Sequence, residues 1–403
     1  MRLLRLGVRG FRNLVDLDLP IPVDGLVLLG ANGQGKTSLL EAIAYPVLFR
    51  SFRTGLDAEL VRFAEAGFRV MLEFERDDRR RSVAAEFRVA GRRRRQELDD
   101  APAERVVDAA GAWLAVVFAP EDVRLASGPA SGRRLFLDRT LALSDAGYLR
   151  SLTRYRAALA QRNAALRQGR SDLAAAFDAP LAAAGARVVA RRVAWVAEVR
   201  EELTASLIAL GESTTEAALG YHGATDLAEP GAWADRLAHS AARDAARRMT
   251  TVGPHRDDLT LLLGGRPLRE YGSTGQHRSA AIALKLLELD TIARAAGSSP
   301  ALLLDDVFAE LDAERQGRLA ARLFGRRPAQ VFITAPRADE LPPGLKLPVW
   351  RVASGKVSCN GERSEFRVPR CPPGESAPAT RNMELACVRI RNPHRWRKLF
   401  RPT

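Results

Sequence analysis

Residues 30–37 read GANGQGKT, set between the apolar run Gly25–Leu29 (GLVLL) and the helix-forming run Ser38–Leu48 (SLLEAIAYPVL). The eight residues satisfy G-x-x-x-x-G-K-[ST], and a strand before with an amphipathic helix after is the context that pattern requires. Glycine lets successive backbone N–H groups curl around an oxyanion, and the amino end of the helix adds its dipole. The stretch therefore predicts a phosphate cradle built from Gly30, Ala31, Asn32, Gly33, Gln34, Gly35, Lys36, Thr37 and Ser38. Lys36 would set a point charge against the β- and γ-phosphates, and Thr37 would offer its hydroxyl to Mg²⁺. ATP with Mg²⁺ is the implied ligand, and α/β is the implied fold class.

Such a cradle works with an acidic residue at the end of a neighbouring strand. Near the other end of the chain, ALLLDDVFAELD (301–312) runs four apolar residues into two adjacent carboxylates. Side-by-side negative charges repel, and a bound cation offsets them. Asp305 is therefore expected to hold Mg²⁺, partly through water. Asp306, with Lys36 the candidate catalytic group, would orient or deprotonate an attacking water. A pair of helix-capping acids after a buried strand is the plainer alternative, but it leaves the cradle without its acidic partner.

The chain has 403 residues, 46% hydrophobic and 27% charged, ample for more than one core. No apolar run reaches the ~18–20 residues of a membrane span. The start, MRLLRLGVRGFRN, is too short in apolar residues for a secretory signal. A cytoplasmic protein with no membrane association is expected. The net charge of +14 invites a nucleic-acid partner, but half of it lies after residue 355, so charge alone is weak support. Only five of the 62 basic residues are lysine. A lysine in a chain so biased towards arginine marks a place for a compact ammonium, and Lys36 and Lys285 both fall in motifs. The three cysteines, Cys359, Cys371 and Cys387, lack zinc-site spacing.

Short strands are predicted through residue 30, then a helix over 36–48, then alternating strands over 68–98. Within the last, VAGRRRRQEL reads as an exposed hairpin whose arginines could grip phosphate or lie solvated. Residues 131–245 are Ala- and Arg-rich with helical periodicity. Strands return near 257–263, 268–271, 301–304 and 330–333, with a helix over 276–296. The outline is an ATPase lobe from residues 1–115 and 246–355, a helical lobe over 116–245, and a basic, turn-rich tail over 356–403. The nucleotide site is assembled from the two ends of the chain.

The motifs FRNL, GANGQGKTSLLEAI, RSFRTG, GPHRDDL, STGQHRSAAIALKL and LLLDDVFAELD, in this order over roughly residues 1–355, together resemble the RecF family of bacterial recombination mediators. Those are ABC-type ATPases with heads like those of Rad50 and SMC proteins. The resemblance implies a head built from amino- and carboxy-terminal segments with an inserted helical lobe. It implies that YGSTGQHRSA holds a signature loop, with Ser273, Gly275 and Gln276 turned towards the γ-phosphate held by a second copy. Asp312 would act across that interface, and Thr334 stands where other ABC ATPases carry a switch histidine. Arg12 and Asn13 would contact nucleotide. FAPEDVRLASG falls in the Q-loop region but contains no Gln, Thr274 stands where many ABC proteins have Gly, and His277 departs from the Gln common in the family.

The implied function is that of an ATP-dependent DNA-binding recombination mediator in repair and replication. It would dimerise on ATP, bind duplex DNA at single-strand gaps, and assist RecA loading with RecR and RecO. Its hydrolysis would be weak and DNA-stimulated, since Asp306 is shorter than a catalytic Glu. A transporter ATPase subunit or a nucleotide-gated scaffold without significant hydrolysis would share the same cradle. His255 in GPHRDD reads as a structural histidine, and Lys285 has no role assigned by sequence.

Overall fold

The structure, a computed structural model, describes residues 1–359 apart from 213–216, 310, 312 and 327. Asp312 and the tail beyond residue 359 lie outside the described residues. The strands are β1 (Arg2–Arg9), β2 (Leu17–Pro20), β3 (Gly25–Leu29), β4 (Gly67–Arg76), β5 (Arg79–Arg88), β6 (Arg93–Leu98), β7 (Ala101–Ala103) and β8 (Ala115–Phe118). After the helical insertion begins come β9 (Ala217–His222), β10 (Asp258–Leu263), β11 (Arg266–Pro267), β12 (Ala301–Asp305), β13 (Val331–Ala335), β14 (Val349–Ala353) and β15 (Lys356–Cys359).

A central sheet runs in the order β15-β14-β3-β13-β12-β8, parallel throughout except for the edge strand β15. Its strands are short and apolar on both sides, as burial on two faces demands. Successive side chains point to opposite faces, and they sort into two cores. Val27, Val116, Leu302, Leu304, Val331 and Ile333 join one; Leu26, Leu28, Val117, Leu303 and Phe332 join the other.

The first core is shared with the helical insertion and with the long helix Thr274–Ala296, through Leu284 and Leu287. The second is closed by an antiparallel sheet in the order β2-β1-β4-β5-β6-β7. Between the two sheets lies the helix Lys36–Leu48, in which only Thr37 and Leu48 escape full burial. This corrects the amphipathic reading of the segment, since a helix wrapped on all sides is apolar nearly all round. Tyr45 and Phe11 each meet the edge of Phe68 at 5.2 and 5.1 Å, fixing the helix against β4.

The α/β outline with two sequence-distant halves in one sheet is as the sequence indicates, and the arginine-rich segment is indeed a hairpin between β5 and β6. Three local readings change. Residues 268–271 form a helical turn rather than a strand: Leu268 is buried, its carbonyl accepts from Gly272 N–H, and the strand ends at Pro267, whose ring has no N–H to extend a ladder. The helical insertion contains β9, which pairs antiparallel with β10 over six residues. Residues 356–359, grouped with the tail by composition, form β15, the second arm of a hairpin through Ser354 and Gly355.

Candidate nucleotide-binding site

The phosphate loop leaves the carboxyl end of β3, and Asp305 closes β12, with β13 between them. Ligand sites of parallel sheets form at this edge of the strands. Gly33 and Gly35 have φ of +78° and +111°, conformations that only glycine adopts without strain. At Gly30 a Cβ would sit 2.2 Å from the Val352 carbonyl of β14, so the loop can lie on its neighbour only with no side chain there.

Lys36 is 4% exposed, and its ammonium donates to the Gly30 and Ala31 carbonyls at 2.8 and 3.3 Å. Thr37 Oγ1 donates to Asp305 Oδ1 at 2.8 Å, joining the two motifs across 268 residues. Thr334 Oγ1 lies 2.8 Å from the same Oδ1 and 2.9 Å from Asp306 Oδ1, and it accepts from Asp306 N–H at 2.9 Å. A hydroxyl has one proton, so Thr334 donates to one carboxylate at a time while its oxygen pins the Asp306 backbone. Asp306 itself sits at φ +47°. Burial pushes the Asp305 carboxyl up to about 6, with the negative charges of Asp306 and Glu121 adding to that, while the Thr37 and Thr334 hydroxyls work the other way. A buried carboxylate beside a hydroxyl, two oxygens short of compensating charge, suits a hard divalent cation that keeps water and phosphate ligands.

The amino-terminal motif supports the loop from behind. Asn13 Nδ2 donates to the Gly33 carbonyl at 2.9 Å, and Ser38 Oγ donates to Asn13 Oδ1 at 2.9 Å. Arg12, which the family resemblance marks as a nucleotide contact, has acceptors of its own within the chain. Its Nε and Nη2 grip both oxygens of the fully buried Glu41 at 2.9 Å, and Nη1 donates to the Glu59 carbonyl at 3.0 Å. Ser51 also bonds Glu41. The β14–β15 turn reaches the loop as well: Ser354 and Gly355 N–H donate to Gln34 Oε1 and to its carbonyl at 2.7 and 2.9 Å. Neither Glu41 nor this turn is singled out by sequence, because only the register of distant strands brings them to the loop.

The signature segment opens the helix Thr274–Ala296. Ser273 is its cap: its hydroxyl accepts from Gln276 N–H at 3.2 Å, and Gln276 Oε1 accepts from Ser273 N–H at 2.9 Å. Within one chain, then, Ser273 and Gln276 satisfy each other. Ser273 and Thr274 are exposed, and a Cβ on Gly275 would lie 3.0 Å from Arg315 Nη1. His277 Nε2 lies 2.8 Å from the Leu268 carbonyl, so this departure from the family pattern ties the loop to the preceding turn.

Further along the helix, Lys285 is fully buried and bonds Glu288, which Arg139 grips at 2.7 and 2.9 Å. Asp122 in the turn Pro120–Val123 lies close enough to feel both cations. Burial lowers the Lys285 ammonium and raises the Asp122 carboxyl. This knot joins the signature helix, the helix Ala130–Ser144 and the turn that follows β8. Lys285 also lies 5.8 Å from the Phe118 ring centroid, and a compact cation suits that space.

No family model matches the chain. Among curated proteins, it is 40% identical over 368 residues to the DNA replication and repair protein RecF of an Anaeromyxobacter species, covering 89% of this chain and 99% of that one. It is 36% identical to the protein of the same name from Geobacter sulfurreducens, covering 83% and 92%. The solved structure of the recombination mediator protein RecF-ATP in the RecFOR pathway superposes with a TM-score of 0.81 at 29% identity, covering 89% of this chain and 97% of that one. An SmcHead crystal structure shares the fold at a TM-score of 0.52 and 15% identity. With relatives this similar over nearly their whole length, and a fold common to the ATPase heads, the chain belongs to the RecF family.

Proposed function

We propose that the chain is an ATP-binding and ATP-hydrolysing recombination mediator that closes into a head-to-tail homodimer on ATP and grips duplex DNA beside single-strand gaps. The observation that carries this is the meeting of Lys36 and Thr37 with Asp305, Thr334 and Asp306 at the carboxyl ends of β3, β13 and β12. Gly30 to Ser38 would wrap the phosphates, and Lys36 would leave its loop carbonyls for the β- and γ-oxygens. Mg²⁺, held by Thr37 and Asp305 with water and phosphate, would supply positive charge to the developing transition state. Asp306 would orient or accept a proton from the attacking water, steadied by Thr334. Asn13 shapes the loop from behind.

In the dimer, the exposed Ser273, with Gly275 N–H, Gln276 and the helix dipole, would face the terminal phosphate held by the other copy. The capping bonds of Ser273 leave lone pairs and the hydroxyl proton for that contact. Asp312 would contribute to the same interface. Two-fold closure brings basic surfaces together for a grip through phosphates, salt-dependent and weakly sequence-specific. The likeness to RecF-ATP in the RecFOR pathway supports RecR and RecO as partners in loading RecA, with a cytoplasmic site of action. Among the described residues no helix is long and apolar enough to cross a membrane. DNA-stimulated but slow turnover is expected from the short Asp306.

Sedimentation with Mg²⁺, ATP and gapped duplex tests the reading. Wild type should shift to a dimer and bind DNA more tightly with ATP, and Lys36→Ala should do neither. An ATP-indifferent wild type would refute the clamp. Single-turnover ATP cleavage, with Asp306→Asn as control, separates an ATPase from a nucleotide-gated scaffold.

A further inference from the structure

Two family motifs, RSFRTG (Arg50–Gly55) and GPHRDDL (Gly253–Leu259), lie outside the nucleotide site. They meet across a cleft of about 480 Å³, open at its mouth, between the end of the phosphate helix and the helical insertion. Four guanidinium groups line it, from Arg50, Arg134, Arg156 and Arg192, against one carboxylate, Asp138. That carboxylate is committed to Arg192 at 2.7 Å and Arg156 at 2.8 Å. Arg134 donates to a main-chain carbonyl, that of Asp257, at 2.8 Å. The Arg50 side chain is exposed and has no hydrogen-bond or ion-pair partner among the described residues. The cleft thus carries excess positive charge that the chain does not neutralise.

The amino end of a helix adds to this charge, and a neutral ring completes part of the wall. Ser131 and Gly132, in the first turn of the fifteen-residue helix Ala130–Ser144, line the same cleft, and that turn contains no acidic residue. His255 presents a fixed, uncharged ring: Nε2 donates to the Thr250 carbonyl at 3.0 Å, and Nδ1 accepts from Tyr155 Oη at 2.6 Å. The remaining wall is apolar, with Leu152, Leu159 and, at 46% exposure, Leu135. Arginines around an apolar wall match an unpaired nucleotide, phosphate on the guanidinium groups and base against the leucines.

We propose that this cleft is a second binding site, distinct from the ATP site, that seats the phosphate and base of an unpaired nucleotide in a DNA strand. The proposal rests on the reading of the chain as a DNA-binding protein, and it names where the single-stranded part of a gapped substrate goes. The test compares full-length wild type with Arg50→Gln and with Arg50→Gln/Arg134→Gln. Binding to gapped and to blunt duplex is measured with Mg²⁺ and ATP over a salt series. The double variant should lose about tenfold or more on gapped DNA, with a salt slope lower by about 2. Blunt-duplex binding and DNA-independent ATP hydrolysis should stay within twofold of wild type. The single variant, altered only at an exposed side chain, should show the same pattern at smaller size. Equal affinity of variants and wild type for gapped DNA overturns the site, as does an equal loss on both substrates. Displacement of the gapped DNA by excess deoxynucleoside monophosphate would assign the cleft to free nucleotides instead and overturn the strand assignment. A wild type that binds neither DNA would overturn the functional reading itself, and this site with it.

Discussion

Replacing Asp305 by Asn should make the nucleotide-free protein more stable while abolishing its Mg²⁺-dependent chemistry. Both hydroxyl contacts, from Thr37 and Thr334, fall on the same oxygen, Oδ1, at 2.8 Å. An Asn side-chain oxygen can accept both, so the substitution removes charge and keeps the bonds. Burial raises the Asp305 carboxyl from 3.8 to about 6. The folded state therefore holds the proton more tightly than the unfolded chain, and this stabilisation is lost as pH rises through 6. At 1.36 kcal/mol per pH unit, the ionised carboxylate burdens the folded state by about 3 kcal/mol at neutral pH. With an unfolding entropy of about 2.1 cal/mol/K per residue, that is a rise in melting temperature of about 4 °C for Asp305→Asn at pH 7.5. Near pH 4, where the folded carboxyl is protonated and the unfolded one is about half ionised, the gap should nearly close. Thermal unfolding in chelator, at both pH values, reads this directly. A variant no more stable than wild type at pH 7.5, or equally ahead at pH 4, would refute the claim that the site stores uncompensated charge for a cation.

Three other predictions, on four substitutions, follow from the structure. Arg12→Ala strips the fully buried Glu41 of its two-bond partner and should cost about 3 kcal/mol in denaturant unfolding; unchanged stability with greatly weakened ATP binding would restore the direct nucleotide contact. Gly355→Ala places a Cβ 2.0 Å from the Asn13 carbonyl at φ +73°, so it should release the turn from Gln34 and weaken ATP binding, whereas Ser354→Ala keeps its N–H bond to Gln34 and should bind ATP as wild type does in calorimetry. Burial lowers His255 to about 4, so the unfolded chain takes up the proton first as pH falls below 6.5. Stability should drop by about 3 kcal/mol between pH 6.5 and 4, and His255→Gln should flatten that part of the pH profile.

The cradle was legible because its chemistry is local: glycines, lysine and threonine at fixed spacing dictate a loop shape wherever they occur. Asp305 was legible too, since an apolar strand that ends in paired acids needs a cation beside it. Thr334 was marked only by its resemblance to a switch position, and its contacts depend on register. Thr334 bridges the two acids because β13 pairs with β12 so that Thr334 faces Asp305, and nothing in QVFIT fixes that offset. The resemblance marked Arg12 as a nucleotide contact, and its pairing with Glu41, one turn into the phosphate helix, was not legible because only the fold brings the two together. The strand expected at 268–271 failed for a local reason, the short β11 ending at Pro267, and the hidden strand β9 sat within a segment whose alanines favour helix.

The same topology explains why the two ends of the chain must meet before any ATP can bind. β3, which launches the phosphate loop, has β13 on one side and β14 on the other. Among the described residues its backbone partners in the sheet come from residues 331–335 and 348–351, some three hundred positions later. Until those strands dock, β3 has no ladder, Gly30 has no Val352 carbonyl to lie against, and Gln34 has no turn to hold it. Contacts so distant in sequence form late, because the loop between them must be closed before any bond rewards it. Folding of the helical insertion, rich in local contacts, can run ahead of this. The competent nucleotide site is therefore a report that the whole body has assembled, and a chain cut before residue 349 should keep helical signal yet bind no ATP.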